Sequence, residues 1–429
     1  MVFCKAKCEG VAEVKIIVVN YRYYVAGGPE RYMFNFMDAA RKRGIEVIPF
    51  SIDYPNNIYS EYASYFASAR SRTKEDHIGD IRFSLGNIYR IVRATVYNTE
   101  AKRKLSKLIK DTQPDAVYVL HEINTLSPSV IDAAKENGVR VVHRLSDFFM
   151  VCANCNLYSN GKICEKCSKF SYDEAIKNRC VKDSKWGTIL RVLAMKIYDK
   201  KKIFNKVDSF VSPSIFTKKT IQRLGYEDAN IEVVPTFTDL SVVPCYKNKG
   251  YFVYSGRIAR YKGVHVAIEA MKYCDNEAKL YLTGNLEGDE YSQYLKSIIQ
   301  KNGLSDRIVF VGFLNREDLC ELIKNAICVL CPSLWYENMP NAVIEAFALG
   351  KSVIASQLGS LSELIKPSYN GFLFDPGNPK DLSKYLNKYL ACPGLSAELG
   401  HNARKECEQK YNDSVHLDKI LRVLSGQVG

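Results

Sequence analysis

The run AICVLCP at 326–332, followed by SLWYENMPNAVIEAFALG at 333–350, constrains this chain more than any other stretch. A short apolar run, a polar loop and a second apolar run at helical spacing predict a buried strand, a tight loop and a helix. The helix is apolar on so many sides that it must be mostly buried. Pro340 suits its first turn, where a missing N–H is no loss. Two acids interrupt the pattern, Glu337 in the loop and Glu345 eight residues on, inside the helix. A helix N-terminus between two carboxylates offers unpaired N–H groups to a phosphate and acids to hydroxyls. On this stretch alone a solvated loop acid and a helix-surface acid remain open as readings.

The rest of the chain repeats the alternation. KIIVVNYRY at 15–23 predicts a buried strand, and it runs through Gly27, Gly28, Pro29 and Glu30 into a helix over 30–43. Strand, glycine turn and helix is how a parallel α/β sheet opens a phosphate site, although Gly27-Gly28 lacks the three-glycine dinucleotide pattern and also suits a simple turn. Strands follow at 46–51, 116–121, 139–143, 209–212 and 231–235. Between them lie an irregular tyrosine-rich stretch over 53–80, a helical region over 85–110 and a helix over 127–137. His121 and Asp147 each follow a strand, so they belong near one sheet edge. After a linker at 239–250 the pattern restarts, with strands at 251–255, 278–283, 308–311, 352–355 and 371–374. Arg257 and Lys262 follow the first of these. The expected fold is α/β, two Rossmann-like parallel-sheet domains over 1–238 and 251–396 facing a central cleft, with a helical tail over 397–429 that packs back on the first domain.

Residues 151–182 break the alternation and carry Cys152, Cys155, Cys164, Cys167 and Cys180. The spacing C-x2-C-x8-C-x2-C fits a tetrahedral thiolate site for structural zinc, with Cys152, Cys155, Cys164 and Cys167 as ligands. Ordinary reduced cysteines are the competing reading, and Cys180 either replaces a ligand or stays free. The stretch MVFCKAKCEG has no hydrophobic leader core and no apolar run reaches eighteen residues, so the expected location is cytoplasmic. A net charge of +13 asks for an anionic partner: nucleotide phosphates, nucleic acid or an acidic membrane surface.

An arginine fork and a lysine point charge are the usual pair for a diphosphate. With the helix N-terminus and two carboxylates they suit a nucleoside diphosphate sugar. At this point the sequence resembles the retaining glycosyltransferases of family 4, of GT-B architecture. The most specific match is the E-x7-E element in ENMPNAVIEAFALGKSVIAS, supported by SGRIARYKG, by VSPS at 211–214 and by GGPE at 27–30. The resemblance implies that Glu337 contacts the donor sugar, Glu345 the ribose, and Arg257 with Lys262 the diphosphate. It implies further that the backbone of Asn338, Met339, Pro340 and Asn341 meets sugar and phosphate oxygens, that Gly27 and Gly28 let the first domain close on the phosphates, and that His121 lies over the reactive face of the sugar. Two positions depart from the family pattern: Ser146-Asp147 stands for a histidine–aspartate pair, and Thr236 for an asparagine.

The activity implied is transfer of a sugar from a UDP- or GDP-linked donor, with retention, to a glycan or lipid-linked glycan in cell-surface polysaccharide synthesis. Transfer would be front-face, with the leaving diphosphate steering the acceptor proton and no cofactor or catalytic metal required. A nucleotide-sugar epimerase, a sugar phosphorylase and a zinc-clipped nucleic-acid-binding protein compete for the same features. No stacking platform interleaves the basic residues, so nucleic acid is not the expected partner. Over 85–110 there are seven Lys or Arg against one Glu, and over 181–206 eight against two Asp, interleaved with apolar residues. Such helices suit the surface of an anionic membrane, as a peripheral protein, unless the apolar faces pack on the first sheet and the lysines are merely solvated.

Overall fold

The computed structural model describes residues 14–69, 95–122, 125–274, 278–286 and 288–427. Two six-stranded sheets, parallel throughout, organise these residues. The first has the strand order Ile231–Val233, Ser209–Ser212, Arg140–Arg144, Ala116–His121, Lys15–Asn20, Glu46–Phe50. The second runs Ile308–Gly312, Lys279–Thr283, Tyr251–Ser255, Val329–Cys331, Val353–Ser356, Gly371–Phe374. In each sheet the order reverses beside the first strand. Chemistry in open parallel sheets gathers at the carboxyl ends of the strands flanking that switch point. There the first sheet presents the Gly27 turn and His121, and the second presents the loop after Ser255 and the loop after Cys331.

Burial on both faces explains the continuous apolar strands. In Lys15–Asn20, Ile17 and Val19 enter one core while Ile16 and Val18 enter the core on the opposite face. Each such side chain contributes about 1.5–3 kcal/mol on full burial. Helix Asn341–Ala348 fills the second sheet's face with Val343, Ile344, Ala346 and Phe347, all at most 1% exposed. It starts one residue later than its sequence suggests: Pro340 is extended at ψ 122 and precedes the first helical residue.

The tail is two helices. Leu395–Lys410 lies on the second half, with Ala403 and Cys407 in its core. The chain turns at Tyr411, Asn412 caps the next helix by accepting from Val415 N–H, and Asp413–Ser425 crosses to the first half. There Leu417, Ile420, Leu421 and Leu424 complete the core around Ile16, Val18 and Phe36. The two passages between halves touch, Thr238 N–H donating to Tyr411 O at 2.9 Å.

His416 anchors that last helix. Its Nδ1 lies 2.7 Å from Pro235 O, an acceptor only, so Nδ1 carries the proton and Nε2 accepts from Tyr32 Oη at 2.9 Å. Burial, then the Arg144 charge, pushes the imidazole from 6.5 down to about 3. A base kept neutral in the fold stabilises fully above its unfolded value and loses that contribution as pH falls toward the folded one. Acidification from pH 7 to pH 5 should therefore cost about 2 kcal/mol at this residue. Melting curves of wild type and His416→Gln across that range check it: the wild-type fall in Tm should be visibly larger.

Candidate active site

The second half supplies most of the site. Strand Tyr251–Ser255 ends in the loop holding Arg257, which is exposed, lies 5.9 Å from the Tyr261 ring and has no carboxylate partner among the described residues. A short 3-10 turn, Arg260–Lys262, then aims Lys262 under the 333–341 loop. Gly263 makes this possible. Its φ is +70°, and a Cβ there would meet Pro332 O at 1.8 Å. Leu334 N–H donates to Tyr261 O at 2.8 Å, which pins the two loops together.

Glu337 sits at that junction, 7% exposed. Its Oε1 accepts from Lys262 Nζ at 2.7 Å, Ser333 Oγ at 2.7 Å and Trp335 Nε1 at 2.8 Å. Among the described residues no donor reaches Oε2. Burial alone would raise this carboxyl, but the Lys262 charge and the three hydrogen bonds outweigh it and hold the group ionised, below the ordinary carboxylate value. Lys262 spends one of its three donors on Glu337 and stands 5.0 Å from the Trp335 ring centroid, so two N–H bonds are left for an anion.

The 338–341 segment divides its groups between two tasks. The Asn338 amide donates to Ser146 O at 2.7 Å and accepts from Thr217 Oγ1 at 3.3 Å, while Met339 Sδ accepts from Thr236 N–H at 3.0 Å. These side chains bind the other half of the molecule, while Pro340, which has no N–H, accepts from Val343 N–H at 3.1 Å through its carbonyl. Asn341 faces Gly28, where an added Cβ would come within 3.3 Å of Asn341 Nδ2. Gly27 precedes helix Gly28–Lys42, its carbonyl accepting from Arg31 N–H. Glu345, half-buried, is held across the cleft by Arg31 at 2.9 Å.

On the first half, His121 ends strand Ala116–His121 with Nδ1 3.9 Å from Asp147 Oδ2 and its ring 5.0 Å from that of Tyr21. Burial raises the Asp147 carboxyl. Beneath them Glu122 and His143 form a fully buried pair at 2.9 Å that ties two strand ends together. The structure thus brings Gly28, Arg31, Asn341 and Glu345 together at one place, and Lys262, Ser333, Trp335 and Glu337 at another.

Arg31, Ser333, Trp335 and the Glu122–His143 pair carry no role in the sequence reading. Arg31 had a signal, the residue directly after GGPE, and Trp335 stands two residues before Glu337; the buried pair had none. The four cysteines of the C-x2-C-x8-C-x2-C spacing do not line one space. Cys152, Cys164 and Cys167 line a small cavity with Cys180, and Cys155 does not, because its left-handed backbone turns it onto the core of the first sheet. Among the described residues no group of three or more Cys, His, Asp or Glu side chains stands ready to hold a metal ion.

Comparison with known proteins identifies the family and the fold. The family model described as Glycosyltransferase Family 4 matches residues 26–242, and that described as Glycosyl transferases group 1 matches 238–406. An uncharacterised glycosyltransferase of Methanocaldococcus jannaschii is 32% identical over 183 residues, 41% of this chain and 46% of that protein. The chain thus spans under half of that relative's length. A 42.6 kDa protein in the cps region of Klebsiella pneumoniae is 23% identical over 364 residues, covering 82% of this chain and 87% of its own. Among solved structures, Anabaena HepE in complex with UDP and glucose superposes with a TM-score of 0.64 at 18% identity, over 96% of this chain and 100% of that one, a likeness of fold.

Proposed function

Since the chain belongs to glycosyltransferase family 4 and has the two-domain GT-B fold of a nucleotide-sugar-dependent transferase, we propose that it moves a hexosyl group from a UDP- or GDP-sugar to a hydroxyl of a glycan or lipid-linked glycan, with retention. The observation that carries this reading is the Lys262–Glu337 junction. It offers two lysine donors to a diphosphate and, beside them, one carboxylate oxygen to a sugar hydroxyl. Arg257, exposed at the adjoining strand end, adds a second cation.

In the proposed step the bond from the anomeric carbon to the diphosphate oxygen breaks, and the acceptor oxygen bonds to the same face. The acceptor proton passes to the departing phosphate oxygen. Arg257 and Lys262 stabilise the negative charge that grows there. Glu337, already holding three protein donors, orients the sugar instead of attacking it. His121 stands at the first sheet's edge as the group over the sugar. Glu345 would take the ribose hydroxyls by exchanging Arg31 for them, a small loss because a half-exposed ion pair is worth about 0–1 kcal/mol. The cps-region relative supports a polysaccharide acceptor, and the UDP of HepE supports a uridine donor.

A panel of UDP- and GDP-sugars, assayed for hydrolysis and for transfer with the product anomer read by NMR, tests the proposal. One donor should be consumed and the product should keep its configuration. An inverted product would overturn the front-face route, and turnover of donor to an epimer without acceptor would replace transfer by epimerisation.

One helix supports a location at an anionic membrane. Lys185–Lys200 leaves Trp186 79% and Leu193 52% exposed, with Lys185, Lys196 and Lys200 exposed along the same stretch. An exposed tryptophan among lysines suits the headgroup layer. The other basic stretch fares differently: helix Thr99–Thr112 buries Leu105, Leu108 and Ile109 in the core and pairs Lys102 with Glu136 and Lys104 with Glu100, leaving Arg103, Lys107 and Lys110 exposed. Ile88, Arg90, Ile91, Val92 and Arg93 lie outside the described residues. No helix among the described residues is long and apolar enough to cross a membrane. Flotation with anionic liposomes should carry the protein, weaken with salt and fail for Trp186→Ala/Leu193→Ala. Absence of wild-type flotation at low salt would remove the membrane.

A further inference from the structure

The segment after Val151 folds into a small module that the transfer reaction does not use. A hairpin of Tyr158–Ser159 and Lys162–Ile163 delivers Cys164, whose N–H donates to Leu157 O at 2.8 Å. Cys167 follows after two residues, the spacing of a metal knuckle. Helix Asp173–Lys177 and a left-handed turn at Arg179 then return Cys180, its N–H on Ala175 O at 3.1 Å. Cys152, Cys164, Cys167 and Cys180 line one cavity of about 10 Å³, room for one water-sized sphere.

Two further features bear on what that space holds. The module's own core is slight, six buried residues including Ala153, Cys167 and Tyr172. Yet non-glycine residues from Cys155 to Asp183 take left-handed backbone conformations at seven positions, of eleven along all described residues. A module with so little core and so many unfavourable dihedrals needs a staple. Across 151–182 six Lys or Arg stand against three Asp or Glu, a surplus that suits an anionic cluster.

We propose that Cys152, Cys164, Cys167 and Cys180 bind one structural zinc ion, and that Cys155 is not a ligand. As thiols, Cys152 Sγ donates to Asn154 Oδ1 at 2.9 Å and Cys180 Sγ to Ser159 Oγ at 3.7 Å, so the sulfurs are not gathered in ligating positions. Binding replaces these contacts: four S–H groups give their protons to solvent, four Zn–S bonds of about 2.3 Å form, and the cluster carries two negative charges. Cys155 cannot join without unmaking its turn. Its carbonyl accepts from Phe148 N–H at 3.0 Å and its N–H donates to Cys152 O at 3.0 Å.

The ligand set separates this proposal from the one its spacing suggests. Full-length protein purified without chelator should hold about one zinc per chain, and Co²⁺ in its place should give the visible spectrum of tetrahedral thiolate coordination. Cys155→Ser should keep both. Cys180→Ser should lose at least about tenfold in metal affinity and lose the thiolate spectrum. Should Cys180→Ser fail to fold, the cobalt spectrum of Cys155→Ser still decides. A metal-free wild type with no cobalt spectrum overturns the proposal, as does loss of metal from Cys155→Ser. Donor turnover is not a readout here, so failure of the transfer reading leaves this result intact.

Discussion

Lys262→Ala is expected to lower turnover by about 10²–10³-fold, the loss that follows removal of one preorganised donor from a developing oxyanion. The lysine holds Glu337 at 2.7 Å, so alanine removes the proposed phosphate contact and leaves a buried carboxylate with only Ser333 and Trp335. The stability cost should be about 1–3 kcal/mol, and its pH dependence is diagnostic. In the wild type the depressed Glu337 value stabilises the fold above the ordinary carboxylate range, a contribution lost as pH falls through the folded value. Without Lys262, burial dominates and raises that value, so acidification should narrow the gap in Tm between variant and wild type. Lys262→Met/Glu337→Gln should recover stability, since neither charge remains buried, and should not recover turnover. Equal activity of Lys262→Ala and wild type in steady-state kinetics would remove the lysine from the transfer step.

Gly263→Ala, which deletes no functional group, is expected to be nearly as damaging. The new methyl would lie 1.8 Å from Pro332 O and 2.9 Å from Pro332 C, at φ +70°. Neither partner yields easily: Pro332 directly follows strand Val329–Cys331, and the turn before Gly263 is bonded to Leu334. Strain of about 3 kcal/mol should lower Tm by roughly 6–12 °C. A shift of about 1 Å in Lys262 should cost about 10²-fold in turnover. Gly303→Ala is the control, at φ +65° with nothing within 4 Å of the added methyl. It should show only the left-handed cost, about 1–2 kcal/mol, with unchanged kinetics. If both glycine variants melt alike, the clash with Pro332 is not what Gly263 avoids.

The architecture was legible because its signals are local. Ile16 to Val19 are buried on both faces, so they read as an unbroken apolar run, and the glycines and acids stand at the ends of such runs. The loop at 333–341 could be read for the same reason. What could not be read depends on residues far apart in sequence. Arg31 meets Glu345 and Asn338 meets Ser146 only because the two sheets face each other, and no periodicity records that. Cysteine spacing has a different limit. It counts residues but not turns: Cys155, at a left-handed backbone, packs on the core of the first sheet, while Cys180 lines the cavity with Cys152, Cys164 and Cys167. The amphipathic stretches show the same limit, since similar patterns of lysine and apolar residues came out buried at Leu105 and Leu108 and exposed at Trp186 and Leu193.

The crossing of the last helix makes the covalent join between the halves redundant. A protease that cut the exposed stretch near Lys249 and Gly250 would leave a fragment ending there and a fragment beginning there. The second fragment would still own helix Asp413–Ser425, whose Leu417, Ile420, Leu421 and Leu424 are part of the first fragment's core. Pulling the pieces apart would return those four side chains to water, about 6–12 kcal/mol at ordinary burial values, and would break the Arg43–Asp418 pair and the His416 bonds as well. A nicked chain should therefore migrate as one particle in native buffer and as two in denaturant. The halves are interlocked through a borrowed element, and the core of the first is incomplete without it.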